Sequence, residues 1–368
     1  MNTFTDFPLL PSIQNTLRLK SLATPTEIQR LVIPSLLERK SLVGIAETGS
    51  GKTLAYVLPI LHLLKTMEND GNKVTEEGSP RALVLVPSRE LGEQVSKVFK
   101  LLTHDTRMRV RSVLGGTAVT VAKENIKGCL EVLVATPGRL EQMISRRQVS
   151  LDDLQILVID EVDVMVDPGF LEVAQKILDA CPEVVQMALF SATFSADVQK
   201  LVGEMFEGIE IFRTKRSEHV PLGLTTKNMT VVDGKRWPVL KKILAEERAG
   251  SILIFTNTRE QCDALENLLQ KNAIPSLIYR GEMDKVERRK NLKEFRDGSI
   301  KVLLSTDLAS RGLDVEHVDC VINYHMPAHL ENYLHRVGRT ARAGRSGVAI
   351  NLITERDTEI VVKIKRLK

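Results

Sequence analysis

Aromatic residues are scarce in this chain of 368 residues, 4% in all, with one Trp, four Tyr and ten Phe. Any grip on nucleic acid therefore does not rest on many stacked bases. Only four cysteines occur, Cys129, Cys181, Cys262 and Cys320, and none lies near another. That excludes a disulfide framework and metal-ligand spacing, suits a reducing compartment, and leaves each thiol to be read as a small buried apolar group. Charge of neither sign dominates: 51 Lys and Arg stand against 47 Asp and Glu, a net +4. This is a weak pull toward a polyanion, and with no Arg- or Lys-rich tail at either end any basic surface belongs to the folded body. Met1–Asp6 shows no basic stretch leading into an apolar core, and no apolar run approaches the length of a membrane span. The expectation is a cytoplasmic protein without membrane contact.

What is present is globular, 43% hydrophobic and 27% charged, and long enough for about two domains. The most informative stretch is Ala46-Glu47-Thr48-Gly49-Ser50-Gly51-Lys52-Thr53, between the apolar runs Leu42–Ile45 and Leu54–Leu58. It reads as a strand–loop–helix junction. Its glycines let backbone N–H groups turn inward around a phosphate, Lys52 supplies a charge for the outer phosphates, and the Thr53 hydroxyl is placed to ligate Mg²⁺. The general phosphate loop begins with Gly, where this chain has Ala46.

Residues 1–40 read as helical, with Leu17, Leu19, Leu22, Ile28, Leu31, Val32, Leu36 and Leu37 at roughly helical spacing. Thr24 is the expected helix cap, with Pro25 in the first turn and Glu27 as its capping-box partner. Apolar runs at Ala82–Val86, Val110–Leu114, Val132–Val134, Ile156–Ile159 and Met187–Phe190 alternate with helix-like stretches. Such strands, apolar on both faces, imply a parallel sheet covered on both sides. Asn69–Ser79 reads as an exposed loop, and the charged stretch from Arg213 to Leu222 as an interdomain linker. Beyond it the alternation resumes at Met229–Val232, Ile252–Phe255, Leu277–Tyr279, Val302–Leu304, Cys320–Ile322 and Ala349–Ile353. The expected organisation is an N-terminal α/β domain over 1–212, a flexible linker over 213–222 and a C-terminal α/β domain over 223–368. With one phosphate loop for two domains, the nucleotide is expected between them.

Ile156–Ile159 leads into Asp160-Glu161-Val162-Asp163. A carboxylate at the end of a buried strand beside a phosphate loop is the second half of a nucleoside-triphosphate site. Asp160 suits Mg²⁺ and Glu161 the attacking water. Here the chain resembles the DEAD-box RNA helicases of superfamily 2, with Asp-Glu-Val-Asp for Asp-Glu-Ala-Asp, and Ala46 is that family's form of the phosphate loop. The ordered match adds Pro87–Leu91, Gly115-Gly116, Thr136–Arg139, Ser191-Ala192-Thr193, Ser305-Thr306-Asp307, Arg311–Asp314 and His335–Arg342.

The resemblance implies two RecA-like domains and an ATP-dependent RNA helicase. ATP with Mg²⁺ is the cofactor pair. RNA is the partner, held by its sugar–phosphate backbone without regard to sequence, alongside protein regulators, and the chain is expected to act as a monomer. Thr24–Gln29 resembles the adenine-reading motif, so Gln29 would select adenine, although read alone it is an exposed helical polar residue. Leu22 would contact the base, and Asp314 a ribose hydroxyl. Arg339 and Arg342, three apart and so expected on one helical face, would serve as arginine fingers. Arg89, Gly116, Thr136, Arg139, Arg288 and Thr306 would line the RNA track. Asp163, Ser191, Thr193 and His335 would couple the two sites. Departures from the family pattern are Ser21-Leu22 for Gly-Phe or Gly-Tyr, Lys285 for Gln and Ser310 for Ala. An ATP-locked RNA clamp with little unwinding and a DNA translocase remain open alternatives.

Overall fold

The computed structural model describes residues 2–116, 119–166, 168–206, 208–215, 223–246, 250–280, 283–307, 318–341 and 345–365. The chain divides into two compact units, Met1–Ser217 and Glu218–Lys368. In the first, seven strands form one sheet: β1 Leu42–Ile45, β2 Ala82–Leu85, β3 Val110–Val113, β4 Val132–Ala135, β5 Ile156–Asp160, β6 Gln186–Ser191 and β7 Glu210–Arg213. Their spatial order is β3-β4-β2-β5-β6-β1-β7, and every pairing is parallel.

All residues of β1, β2, β4 and β5 are buried, as expected of strands covered on both faces. Because side chains alternate along a strand, each strand feeds two cores. Val84, Val132, Val134, Val158 and Phe190 pack with α1 Pro11–Leu19, α2 Glu27–Leu37, α3 Lys52–Asn69 and α4 Arg89–Leu102. Leu83, Leu85, Leu133, Leu157 and Ile159 face the opposite core, which takes residues from α5 Val119–Asn125, α6 Pro137–Ser145, α7 Val162–Met165, α8 Pro168–Asp179 and α9 Ala196–Met205. Gly44, in the middle of β1, is required by close packing: a Cβ there would stand 2.7 Å from the Phe190 ring.

The second unit repeats the plan with β8 Leu224–Thr230, β9 Ile252–Thr256, β10 Leu277–Tyr279, β11 Val302–Thr306, β12 Cys320–Asn323 and β13 Gly347–Ile353. Their order is β10-β11-β9-β12-β13-β8, again all parallel. Its described helices are α10 Arg236–Glu246, α11 Arg259–Lys271, α12 Lys285–Arg296, α13 Leu330–Val337 and α14 Thr358–Lys365. The two α/β units are thus built as expected of RecA-like domains.

Of the four edge strands described, β3 and β10 fall where the apolar runs put them, whereas β7 and β8 depart from the sequence reading. β7 carries no apolar run and is mostly exposed, and β8 begins at Leu224 rather than Met229 because Thr225, Thr226, Lys227 and Asn228 are polar. An edge strand has one neighbour and one wet flank, so it is free to carry polar residues that a central strand does not. β7 also takes in Arg213, the first residue of the expected linker, whereas 216–222 lie outside the described residues. Cys262 and Cys320 are buried and Cys129 and Cys181 half-buried; all are free thiols, and burial pushes Cys181 and Cys262 up to about 11. Among the described residues no helix is long and apolar enough to cross a membrane.

The N-terminal region is a pair of helices, and three expectations there need correcting. Leu19 ends α1 and is 68% exposed, and Leu22 lies in neither helix but in the segment that joins them. The cap of α2 is Thr26 rather than Thr24, and its box partner is Gln29 rather than Glu27, because the helix starts at Glu27, two residues later than Pro25. Between the helices Ser21 adopts φ +55°, the left-handed region in which a Cβ is strained. Replacing it with glycine removes that strain at the cost of some unfolded-chain entropy. Ser21→Gly is therefore expected to stabilise the first unit by about 0.5–1 kcal/mol, seen as a raised unfolding midpoint in urea, and a lowered midpoint would contradict it.

Candidate nucleotide and nucleic-acid site

Apart from Leu22 and Gln29, which precede β1, the candidate residues of the first unit lie at or just beyond the carboxyl ends of strands, where ligands of open parallel sheets bind. Ala46–Gly51 follow β1 and turn directly into α3. Gly49 and Gly51 have φ +85° and +91°, which only glycine adopts without strain. Space around Gly49 is open, whereas a Cβ on Gly51 would stand 2.4 Å from Gln29 Nε2. Ala46 N–H donates to the Ser191 carbonyl at 3.0 Å, and Ser50 N–H to the Glu47 carbonyl at 3.2 Å. The Lys52 ammonium donates to the carbonyls of Ala46 and Glu47, at 2.5 and 3.1 Å, which keeps it within the curl of the loop. Thr48 and Thr53 are half-buried on either side.

Gln29 corrects its reading as an exposed polar residue, for it is 3% exposed. Its Oε1 accepts the Thr26 N–H at 2.8 Å and its Nε2 donates to the Gly51 carbonyl at 3.0 Å. One residue thus caps α2 and ties it to the last glycine of the loop. Leu22 is half-buried against the same core as α2.

Asp160 ends β5 with its carboxylate almost fully buried. Oδ2 accepts the Tyr56 hydroxyl at 2.9 Å and Oδ1 the Glu161 N–H at 2.9 Å. Burial pushes this carboxyl from its ordinary 3.8 up to about 6; Lys52 opposes the shift, Glu161 adds to it, and the two hydrogen bonds oppose it. Tyr56 is itself pushed well up, first by burial and then by the Asp160 charge. Glu161 has φ +55°, a strained conformation for a residue with a Cβ, and is 7% exposed. Its Oε2 and the Ser50 hydroxyl are buried without a hydrogen-bond partner among the described residues. Two orphaned buried polar atoms, a buried carboxylate and a hydroxyl at Thr53 make a donor set suited to a polyphosphate with a hard cation. Among the described residues no three His, Cys, Asp or Glu side chains come together as a metal cage.

Asp163, on α7, accepts the Thr193 hydroxyl at 3.4 Å, while the Ser191 hydroxyl donates to the Thr193 carbonyl at 2.7 Å. These join the end of β6 to the segment after β5. On the far side, Arg89 after β2 donates to the Gly115 carbonyl at 3.3 Å and to Glu93 at 2.9 Å. Gly115 N–H donates to the Thr136 hydroxyl at 2.9 Å, and Arg139 bonds Gln142. Arg89, Gly115, Thr136 and Arg139 line one open hollow of about 540 Å³, with Gly116 adjoining. Phe170 lines it too, which the sequence reading missed; in so aromatic-poor a chain a Phe just after the acidic motif was the available signal.

In the second unit Thr306 ends β11 and Arg288 lies over the Tyr279 ring at 5.8 Å. The expected helical face is corrected: α13 ends at Val337, so Arg339 sits in the turn beyond it, its N–H donating to the Arg336 carbonyl at 3.1 Å. Arg339 and His335 are both buried. Arg342 and Asp314 lie outside the described residues, as do Arg311, Gly312 and Ser310. The residue passed over is Arg336. Fully buried, it bonds Asp307 through Nε and through Nη2 at 2.8 Å, Asn257 at 2.8 Å, and Asn323 and the His325 carbonyl at 3.1 and 2.7 Å. It anchors α13 to the ends of β9, β11 and β12, and so orients the residues on either side of it.

The family model described as DEAD/DEAH box helicase matches residues 26–201, and that described as helicase conserved C-terminal domain matches residues 235–344. DEAD-box ATP-dependent RNA helicase 39 of Arabidopsis thaliana is 35% identical, aligned over 99% of this chain and 61% of its own length. DEAD-box ATP-dependent RNA helicase RhpA of Helicobacter pylori is 33% identical, over 99% of this chain and 72% of its own. The structure of S. cerevisiae Dbp5 bound to RNA and ADP BeF3 superposes with a TM-score of 0.84 at 26% identity, covering 100% of this chain and 93% of that one. The chain thus spans about three-fifths of the Arabidopsis relative.

The Asp160 shift carries a testable cost. Between pH 3.8 and about 6 the native carboxyl binds more protons than the unfolded one, so stability falls as pH rises through that window and the loss is complete above it. Asp160→Asn is expected to stabilise the ligand-free protein near pH 7.5 by on the order of 1–3 kcal/mol, with the gain shrinking toward pH 4. Thermal unfolding followed across that range checks it, and an equal gain at both ends would contradict the assignment.

Proposed function

The chain belongs to the DEAD/DEAH box helicase family, and on that premise we propose that it is an ATP-dependent RNA helicase which hydrolyses ATP when RNA binds and so separates short duplexes or remodels RNA–protein complexes. The observation that carries this reading is the gathering of Lys52, Thr53, Asp160 and Glu161 around one glycine-rich curl, with two buried polar atoms, on Ser50 and Glu161, lacking partners there. Asp160-Glu161-Val162-Asp163 acts as the family's acidic motif. Val162, where the family has Ala, is buried in the second core and its extra methyls are taken up there.

Backbone N–H groups of Thr48–Lys52 cradle the phosphates, and Lys52 leaves its carbonyls for the outer ones. Thr53 and Asp160 would hold Mg²⁺, which when bound draws charge from the phosphate oxygens. Glu161 orients the attacking water and takes its proton. Gln29 has used one N–H and one lone pair, so a second N–H and a second lone pair remain for the adenine edge. Arg339, supplied by the second unit, stabilises charge on the transferring phosphoryl group, with Arg342 beside it, and Asp314 takes the ribose. Arg89, Gly116, Thr136 and Arg139, with Arg288 and Thr306, hold the RNA backbone. The Thr193–Asp163 pair, together with Ser191 and with His335 of the second unit, relays between the two sites. The protein acts as a monomer in the cytoplasm, its turnover open to protein regulators.

Lys52→Ala is expected to abolish RNA-stimulated ATP hydrolysis, whereas Glu161→Gln should still bind ATP, turn over very slowly and hold RNA longer. Steady-state ATPase with an RNA titration, paired with strand displacement, checks both; wild-type turnover in Glu161→Gln would remove it from the chemistry. Leu22 gives a separate test. Base–aromatic stacking is worth about 1–3 kcal/mol by truncation to alanine, and leucine recovers part of it. Leu22→Phe should therefore lower the KM for ATP several-fold and leave kcat nearly unchanged. A lowered melting temperature with unchanged nucleotide affinity would instead mark Leu22 as an ordinary core contact that phenylalanine overpacks.

A further inference from the structure

Three successive residues where the chain leaves the first sheet each touch a different part of the nucleotide machinery. The Arg213 guanidinium, at the end of β7, lies 4.3 Å from the centre of the Phe194 ring, next to Thr193. Thr214 is buried; its N–H donates to the Ile45 carbonyl at 3.0 Å and its hydroxyl to Glu47 Oε2 at 3.0 Å. Lys215 N–H donates to Glu27 Oε1 at 3.3 Å, at the start of the helix that carries Gln29. Strand pairing alone explains the Thr214 N–H bond, since β7 runs beside β1 in register. It does not explain the side-chain and Lys215 contacts, which fall on three separate segments.

We propose that Arg213–Lys215 is a latch that positions the phosphate loop, with Thr214 as its central positioning residue. The Glu47 carboxylate held by Thr214 belongs to the residue whose carbonyl also accepts the Lys52 ammonium at 3.1 Å. Fixing Glu47 therefore fixes the first turn of the loop and one of the two carbonyls on which Lys52 rests. A hydroxyl–carboxylate bond inside a half-buried loop restrains it more than a neutral bond on the surface does. Thr214 thereby ties the end of β7 to the shape of the loop. Its effect on turnover rests on the reading of the loop as an ATP site; its effect on the loop does not.

Two measurements on the full chain separate these. In Thr214→Val, which keeps shape and loses the hydroxyl, hydrogen exchange of the amides of 46–51 without nucleotide should quicken by about tenfold, and Thr214→Ser should restore it. The KM for ATP in saturating RNA should rise several-fold, more than kcat falls, again with rescue by serine. Unchanged loop exchange in Thr214→Val overturns the latch, and so does an equal fall in thermal stability for the valine and serine variants with no change in exchange. Quickened exchange with an unchanged KM overturns its role in positioning for the reaction. Quickened exchange and serine rescue in a protein whose wild type binds no ATP would support the latch and refute the ATP reading instead.

Discussion

A carboxylate taken out of water at Asp160 is the constraint on which the first unit depends. It sits at the end of a strand with neighbours on both sides, and burial alone would drive it neutral. Tyr56, the Glu161 N–H and the Lys52 charge hold it near the balance point. The packing behind these groups follows from the same need. Tyr56 is fixed by a tilted contact with Phe190, ring centres 5.2 Å apart, and Phe190 fits only because Gly44 offers no Cβ. Helix, central strand and acidic motif are thereby set in one register, and a change in any of the three is felt at the carboxylate.

The second unit answers with a buried cation. Arg336 gathers the ends of β9, β11 and β12 through Asn257, Asp307 and Asn323 and lies 5.1 Å from the Phe255 ring centre. Removing one partner of a buried charged pair costs about 3–5 kcal/mol, because the other is left uncompensated. Such a network is a stiff mount, suited to holding His335 and Arg339 in fixed attitudes on either side. In both units the buried charge stands at the carboxyl end of a parallel sheet, where strand ends leave polar groups to be satisfied and loops room to vary.

Several features were legible in the residues. Central strands announced themselves as short apolar runs, since both faces must be covered, and the glycine-rich loop and acidic motif carried their chemistry in their spacing. The edge strands Glu210–Arg213 and Leu224–Thr230 did not, because one wet flank admits polar residues. Gln29 was misread for a related reason: a helical amide looks solvent-facing until a segment 22 residues away brings the Gly51 carbonyl to it. Helical spacing likewise suggested one face for Arg339 and Arg342, yet α13 has ended by then.

The sequence by itself determined which residues are candidates for the chemistry and that most of them follow a buried strand. Only the tertiary structure decided how they are grouped. Along the chain the candidate nucleotide residues after β1 are followed by candidate RNA residues after β2, β3 and β4, then by nucleotide residues again after β5 and by coupling residues after β6. In the sheet the order β3-β4-β2-β5-β6-β1-β7 sorts them, with the RNA residues of this unit along one half of the edge and the nucleotide residues along the other. Thr193 and Asp163 stand where the β5 and β6 ends meet, bonded to each other. The reason is that local side-chain patterns specify a strand and its two apolar faces but not its neighbour. Neighbours are chosen by which crossovers bury the helices best, a property of the whole sheet rather than of any segment.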